Sequence, residues 1–595
     1  MHARCSHRTL LAALALVACT ETKTGSTVGG RFGLPDVESD GAVLEEIAGT
    51  SDVPTGTTDT PAPPPDALTC KPDCVAPQKC VNGTCQLPGK CPPNTWLCHG
   101  LKNKKQCLPD GSDYGEIITC PGEEYCTAGK CGIKCQSDPK WGSYVGCAFW
   151  VTDLPNYPDP TLNPTPKDLP WAVVVSNPNE LPSKVQFTLP PDLLLSEGTI
   201  AGNTSEVFYL PGMAITTTGV TKSAVHMAAD RPVLVHQFNP WDNKFSNDAS
   251  LILPEPMLGT DYVILTWPTS PLALVPFPGF PADSQNGYFT VLAPTNGTQV
   301  TITVTAHVNA GTGVSELKPG ESLTVTLQAG EVLNIEADPT GLFDPMDLSG
   351  STVTSNRPIS VFSGHEEAVI GETPKNPNPF PGDPPDNGPC CADHLEEQLL
   401  PVNLLGTTYL ALKSKPRGSP SEPDYWRVQA AADNVTLKTI PAVPGIDGVV
   451  LKAKGNWIEA QFTDSFELQA SGPVQVMQYL VSQGATVQFI GDPIDIVAIP
   501  IERFRPSYAL MVPPKYAESW ASVAITAGTT VSLDGVAVPT GTFAPIGSGK
   551  WSLGWVKLSE GMHQLTADQK FGATIYGHNG AVGYGFPAGL SLPSE

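Results

Sequence analysis

The stretch CCADHLEEQLLP, residues 390–401, groups the residue types best suited to chemistry in this chain. Asp393 and His394 follow two cysteines, and imidazole, carboxylate and thiolate groups are common metal ligands in proteins. Asp393 and His394 are therefore metal candidates. In a second interpretation, the aspartate caps a turn, and His394 and the two glutamates lie on the surface or in a local hydrogen-bond set. We favour this interpretation, because the repeats described below keep an aspartate but no histidine.

An acidic loop, DPTGLFDPMDLSG at 338–350, offers a second candidate site. Asp338, Asp344 and Asp347 could bind calcium, a cation that prefers oxygen ligands. The loop lacks the EF-hand spacing and its final glutamate, so we expect no cofactor apart from this calcium candidate.

Three tryptophans, Trp241, Trp426 and Trp520, could form a platform for a glycan. Large aromatic side chains more often fill β cores, and we favour that role.

These residues lie within an internal repeat. Three strand-like runs, RPVLVHQF (231–238), RPISVFSGH (357–365) and GPVQVMQY (472–479), are each followed by aspartate and then by a proline eight residues before a tyrosine. The aspartates are Asp248, Asp393, Asp492 and Asp495, and the proline–tyrosine pairs are Pro254 and Tyr262, Pro401 and Tyr409, and Pro500 and Tyr508. A constant offset in three places indicates repeated structural units.

The runs between these motifs alternate apolar and polar residues and are broken by Gly, Pro or Asn, as is typical of strands. The sequence thus predicts an all-β fold of four pseudo-repeated β-sheet units over 144–595, propeller-like or sandwich-like and able to close into a ring. The fourth unit has no proline–tyrosine strand after it. We therefore predict that the segment 144–154 pairs with unit four near 573–586, because an open sheet edge would leave backbone groups unpaired.

The runs WAVVVSNPN, RPISVFSGH and CCADHLEEQLLPVNLLGTTY make this region similar to the N-terminal domain family of IgG Fc-binding protein, which bacterial surface proteins also contain. The resemblance covers about 145–590. It implies an extracellular, β-rich adhesive module with no assigned catalytic residues, and no position here is matched to an Fc contact.

The N-terminus predicts export. A basic start precedes the short apolar run LLAALALVA, which is too short to span a bilayer, and the run ends at Cys19. Residues 1–18 resemble a bacterial lipoprotein signal peptide with Cys19 as the lipidation site, and Thr20 favours the outer membrane. An ordinary secretory signal peptide is the alternative. Residues 19–66, rich in Pro, Thr and Gly, lack apolar periodicity and are predicted to be a disordered tether.

Residues 67–143 form a cysteine-rich module. Residues 67–147 hold twelve cysteines, and in an exported segment of low apolar content an even number of cysteines favours disulfides over zinc. The disulfide candidates here and just beyond are Cys70, Cys74, Cys80, Cys85, Cys91, Cys98, Cys107, Cys120, Cys126, Cys131, Cys135 and Cys147. Cys390 and Cys391 are further candidates, either with each other or separately, for instance one with Cys147. The sequence leaves the connectivity open.

Composition narrows the function. The net charge is −25, which disfavours binding to nucleic acid, and 56 glycines with 62 prolines favour a loop-rich β protein. We therefore expect a non-enzymatic, lipid-anchored protein of the bacterial outer membrane, on its periplasmic or surface face, that binds an extracellular protein or glycan. The alternatives are a structural envelope or matrix protein and, third, a carbohydrate-active enzyme.

Overall fold

The computed structural model describes residues 79–81, 84–86, 94–98, 103–120, 124–127, 130–134, 144–158, 164–241, 246–269, 285–338, 346–371 and 391–592. The signal peptide, Cys19 and the tether lie outside these residues. The chain divides into two compact units. The larger holds the described residues of 96–105 and 117–592, and the smaller holds those of 79–95 and 106–116.

Strands in the cysteine-rich module are short. They are β1 (Lys79–Val81), β2 (Thr84–Gln86), β3 (Trp96–Cys98), β4 (Asn103–Cys107), β5 (Tyr114–Thr119), β6 (Glu124–Thr127) and β7 (Lys130–Lys134). Cys120 and Cys131 form a disulfide, and Cys107 is also disulfide-bonded. The predicted disulfide chemistry is confirmed for these cysteines. Cysteines 70, 74, 91, 135 and 390 lie outside the described residues.

The rest of the described chain forms four antiparallel sheets, one for each predicted unit. Unit one contains β8 (Gly146–Val151), β9 (Ala172–Asn177), β10 (Ser183–Leu189), β11 (Leu193–Ile200), β12 (Thr204–Tyr209), β14 (Val225–Asn239) and β15 (Asp248–Leu251). Unit two contains β13 (Gly219–Thr221), β16 (Gly259–Val263), β17 (Gly287–Leu292), β18 (Thr298–Thr303), β19 (Ser322–Leu327), β20 (Val332–Glu336), β21 (Thr352–Ala368) and β22 (Asp393–Gln398).

Units three and four repeat the same plan. Unit three contains β23 (Gly406–Ala411), β24 (Asp424–Ala430), β25 (Val435–Ile440), β26 (Val450–Leu451), β27 (Trp457–Phe462), β28 (Phe466–Leu480) and β29 (Ile494–Val497). Unit four contains β30 (Arg505–Val512), β31 (Glu518–Thr526), β32 (Val531–Leu533), β33 (Val536–Ala537), β34 (Phe543–Ile546), β35 (Trp551–Leu558), β36 (Gly561–Asn579) and β37 (Val582–Pro587). The all-β prediction is confirmed: among the described residues the helical elements are short 3-10 turns, at 166–168, 255–257, 402–404, 483–485, 501–503 and 540–542.

Each sheet is organised by one long strand, β14, β21, β28 or β36. The first part of the long strand pairs with β8, β16, β23 or β30, which we call the first strand of the unit. The last part of the long strand pairs with a short final strand. The register with the first strand shifts in the middle of the long strand, so one chain segment serves both halves of the sheet. Such a shift leaves backbone groups that need other partners.

The repeated tyrosine supplies one of those partners. Tyr409 Oη accepts a hydrogen bond from the backbone N–H of Gly406, 3.0 Å away, and donates to the carbonyl of Val474 at the register shift of β28. Tyr262 and Tyr508 make the same two bonds in units two and four. Between each proline and its tyrosine lie a 3-10 turn and the start of the strand, which explains the constant offset of eight.

The predicted pairing of 144–154 with unit four is wrong. Strand β8, in this segment, pairs with β14 of its own sheet, as the first strand of every unit does. Unit four has its own first strand, β30, so it has no gap to fill.

The four units nevertheless form a ring. The final strand β15 of unit one contacts both β22 and β37, and β29 contacts the same two strands. The two ends of the domain also meet on unit four: the N–H of Ala509 donates to Tyr144 Oη, and the N–H of Ser591 donates to the carbonyl of Arg503. Among the described residues, closure therefore occurs through packing of the final strands and not through a shared ladder.

Candidate functional site

The residues DHLEEQ of the CCADHLEEQLLP stretch form the final strand β22, and all six are buried. A turn was expected, with His394 and the two glutamates on the surface or in a local hydrogen-bond set. The turn and the surface position are wrong, because this segment is a buried strand. The strand has one hydrogen-bonded neighbour, β21, and its other edge faces the final strands of units one and three. We call β15, β22, β29 and β37 the inner strands.

The inner strands and the residues just before them bring six carboxyl groups into the interior of the ring. They are Asp248, Asp393, Glu396, Glu397, Asp492 and Asp495. Each is at most 1% exposed, and among the described residues no lysine or arginine forms an ion pair with any of them. The aspartate noted in three repeats is thus the sequence signal of this cluster.

The carboxyl groups connect sheets that share no backbone ladder. The N–H of Asp495 on β29 donates to Oδ2 of Asp248 on β15 over 3.3 Å, and the N–H of Val497 donates to Oε1 of Glu397 over 3.0 Å. Glu396 accepts a bond from Gln237 of unit one. An edge strand has unpaired backbone N–H groups, and these groups need acceptors once they are buried. The carboxyl side chains of the neighbouring inner strands supply these acceptors.

Burial favours the protonated form of these acids. Removal from water raises the pKa of Asp248, Asp393, Glu396 and Glu397 well above the ordinary values, and the charge of Asp495 raises it further at Asp248 and Glu397. The same burial raises the pKa of Asp495 to about 7. A protonated carboxyl group both donates and accepts a hydrogen bond, so a neutral acid suits this position better than a carboxylate.

His394 is also uncharged. Burial lowers its pKa to about 3, and its ring stacks on Tyr288 with the centroids 6.2 Å apart. Its Nε2 lies 3.6 Å from Oε2 of Glu396, beyond hydrogen-bonding distance. Asp393 precedes His394 on a strand, where successive side chains point to opposite faces, so the two are poorly placed to hold one metal together.

The calcium candidates have separate partners. Asp338 Oδ2 is 3.3 Å from Nδ1 of His307, whereas Asp347 accepts from Arg427 Nη1 at 2.9 Å. Asp344 lies outside the described residues. Within the described ranges, no three His, Cys, Asp or Glu side chains gather as a metal-ligand set. Calcium binding by this loop remains a prediction.

The tryptophans differ in role. Trp426 is 1% exposed and fills the core of unit three, as favoured. Trp241 packs edge-on against Phe238 with the ring centroids 4.6 Å apart. Trp520 is only half-buried and lines an open groove with Lys415 and Trp555. No local sequence pattern predicts this groove, because its residues are far apart in the chain.

Cys391 and Cys147 both belong to disulfides, in agreement with their prediction as disulfide candidates. No helix in the part of the chain that the structure describes is long and apolar enough to cross a bilayer.

Four sheets joined by buried inner strands define a ring-closed, all-β repeat protein. The family described as IgGFc binding protein matches residues 248–577, from inner strand β15 to the long strand β36 of unit four. The human IgGFc-binding protein is 24% identical over 419 residues, which cover 69% of this chain and 7% of the human protein. The chain belongs to the IgGFc-binding protein family, and it spans a small fraction of the length of this human relative.

Proposed function

We propose that this protein is a non-enzymatic binding protein of the cell envelope, anchored through a lipid on Cys19 and presenting its β ring to an extracellular protein or glycan. The observation that carries the proposal is the family match over most of units two to four. The name of the human relative attributes binding of the Fc part of IgG to that protein, and a protein ligand is therefore the first class to test here.

The burial of the inner-strand carboxyl groups supports a binding function over a catalytic one. Carboxyl groups converge there, as a glycosidase would require, but every one is sealed from solvent and packed between strands. A substrate would have to open the ring to reach them. A rigid, closed β scaffold is instead suited to presenting surface loops to a ligand.

The binding proposal is tested with the full chain immobilised and exposed to panels of extracellular proteins, including IgG Fc, and to glycan and whole-cell arrays. Saturable binding to at least one ligand class is expected. If no ligand binds, and deletion of the gene instead alters envelope integrity, the structural alternative replaces the binding proposal.

The anchor is tested by Cys19→Ala. Without an acylated cysteine the protein has no lipid to hold it, so it should move from the membrane fraction to the soluble fraction. Cys5→Ala, which changes a cysteine within the predicted signal peptide, is the matched control and should leave membrane partitioning intact. Unchanged detergent-dependent partitioning of the Cys19→Ala variant would rule out the lipoprotein assignment.

A further inference from the structure

An open groove between loops of unit three and strands of unit four has the features of a ligand site. Its volume is about 400 Å³, and its lining includes Lys415, Ser419, Gln488, Glu518, Trp520 and Trp555. This volume lies within the usual range for small-molecule sites.

Both indole rings in the groove are fixed in place. Trp555 Nε1–H donates to the carbonyl of Lys413 over 3.0 Å, and Trp520 Nε1–H donates to Oε2 of Glu518 over 3.2 Å. The two tryptophans stand on the paired strands β31 and β35. Because the rings are held before any ligand arrives, little side-chain entropy is lost when a ligand stacks on them.

One lysine, Lys415, and one carboxylate, Glu518, line the groove, and Lys557 lies beside it. Lys415 Nζ lies 5.3 Å from the ring centroid of Trp520 and 5.0 Å from that of Trp555, and Lys557 Nζ lies 5.6 Å from Trp520. Within the described ranges neither lysine forms an ion pair with a carboxylate. The Glu518 carboxylate accepts the Trp520 Nε1–H instead of pairing with a lysine. In a chain with net charge −25, Lys415 inside the groove and Lys557 beside it therefore favour an anionic ligand.

The rim of the groove is unusual for a surface loop. Val487 and Phe489, on either side of Gln488, are 63% and 56% exposed. Phe489 has a φ of 54°, in the left-handed region that bulky residues rarely adopt. The loop is anchored where the N–H of Gln488 donates to the carbonyl of Arg417. A held loop that exposes an aromatic residue at a conformational cost is suited to contact with a partner.

We propose that this groove binds a saccharide that carries a carboxylate, such as a terminal acidic sugar of an extracellular glycan. The ligand carboxylate pairs with the Lys415 ammonium, and the C–H face of the sugar ring stacks on an indole. Glu518, Gln488 and Ser419 offer partners to the hydroxyl groups. This inference rests on the proposed binding function and names the ligand class of one site. An acidic peptide could pair with Lys415, but its carboxylate side chains have no ring face to stack on Trp520 and Trp555.

The test is a titration of the full chain with methyl glucuronide, N-acetylneuraminic acid and neutral methyl glucoside, followed by tryptophan fluorescence. At least one of the two acidic sugars should give a saturable change, and the neutral glucoside should bind at least about tenfold more weakly, since a charge-assisted hydrogen bond is lost. Equal affinity for the neutral sugar, or tighter binding of an oligoglutamate peptide, would overturn the proposal. So would the absence of any saturable change with both acidic sugars.

Variants locate the site. Lys415→Gln should weaken binding of the acidic sugar by at least about tenfold, because it removes the charge and keeps a polar side chain. Lys550→Gln is the matched control: Lys550 Nζ also lies over an indole, 6.0 Å from Trp551, but outside the groove. Trp555→Phe should weaken binding of both sugar classes. Equal effects of the two lysine variants would contradict the assignment.

The groove inference and the broader function fail in different ways. If arrays find a ligand whose affinity is unchanged in Lys415→Gln, the binding function holds and the groove assignment is wrong. If no array ligand is found and neither acidic sugar binds, both proposals fail.

Discussion

Two regions of this protein bury carboxyl groups, and they limit the free-energy cost of a buried charge in opposite ways. Around Asp424 in unit three, Lys413 Nζ lies 2.6 Å from the carboxylate, and both side chains are at most 2% exposed. Nearby, Arg417 pairs with buried Glu422 at 2.9 Å. The inner strands and the residues just before them bury six carboxyl groups, and no lysine or arginine in the described ranges forms an ion pair with any of them. The first region compensates charge, whereas the second avoids charge by retaining protons.

The two regions differ because Asp424 makes contacts within one unit, whereas the acids of the inner strands link strands of different units. Asp424 accepts hydrogen bonds from Ser414 and Gln478 of its own unit, and Lys413, just after β23, reaches the same carboxylate. The inner strands pack side by side around the ring, where short acidic side chains can reach a neighbour's backbone N–H. A neutral acid does this without the cost of desolvating an ion pair.

Removing the cation from the paired region should have the largest effect. Lys413→Met leaves Asp424 buried without its counter-ion, which should lower the free energy of unfolding by about 3–5 kcal/mol. The measurement is urea unfolding of the full chain near neutral pH.

Lys454→Met is the control for Lys413→Met, since Lys454 and its partner Asp261 are 30% and 40% exposed. An exposed pair is worth at most about 1 kcal/mol. Similar losses in the two variants would show that burial of the Lys413 pair is not what matters.

The neutral-acid region should respond to pH with a defined sign. Burial raises the pKa of Asp495 from 3.8 to about 7, so wild type binds this proton more tightly folded than unfolded. Its contribution to stability is fully present below pH 3.8 and is lost as the pH rises to about 7. Asp495→Asn keeps the shape of the neutral acid. Relative to wild type, the variant should therefore gain about 2–4 kcal/mol between pH 4 and pH 8.

The comparison must be made between the two proteins at each pH. Four buried histidines have lowered pKa values: His236, His365, His394 and His578. Because of them, both proteins lose stability as the pH falls below 6.5, which is the opposite trend to that of Asp495. Asp192→Asn, at an exposed position, provides the baseline. A stability difference for Asp495→Asn that does not change with pH would mean that this carboxyl is already ionised in the fold.

The smallest effect is expected where a buried polar group needs neither a cation nor a retained proton. Tyr409→Phe removes the hydroxyl that joins Gly406 to Val474 and should cost about 1–3 kcal/mol, with no pH dependence between pH 4 and pH 8. Phe149 occupies the equivalent place in unit one, three residues after Gly146. Phe149→Leu keeps this position apolar and serves as the comparison, and a marked pH dependence of the Tyr409→Phe effect would argue against a purely neutral role.

The sequence determined the all-β class, the four units and the recurring aspartate. These follow from local rules: alternation fixes the buried face of a strand, and a proline followed by a 3-10 turn fixes the distance to Tyr262, Tyr409 and Tyr508. The expected similarity to the IgGFc-binding family also rested on short sequence motifs, and the family match confirmed this similarity.

Only the tertiary structure decided what those residues do. Whether His394 and Glu396 lie on a surface turn or inside a ring depends on which sheet covers the open edge of β22, and that edge is covered by strands about a hundred residues or more away in the chain. The groove likewise gathers Lys415, Trp520 and Trp555 from two units. Local sequence sets the shape of each strand, but burial is decided by how the four units pack. Packing therefore determines which tryptophans are exposed, and burial determines whether the acids are charged.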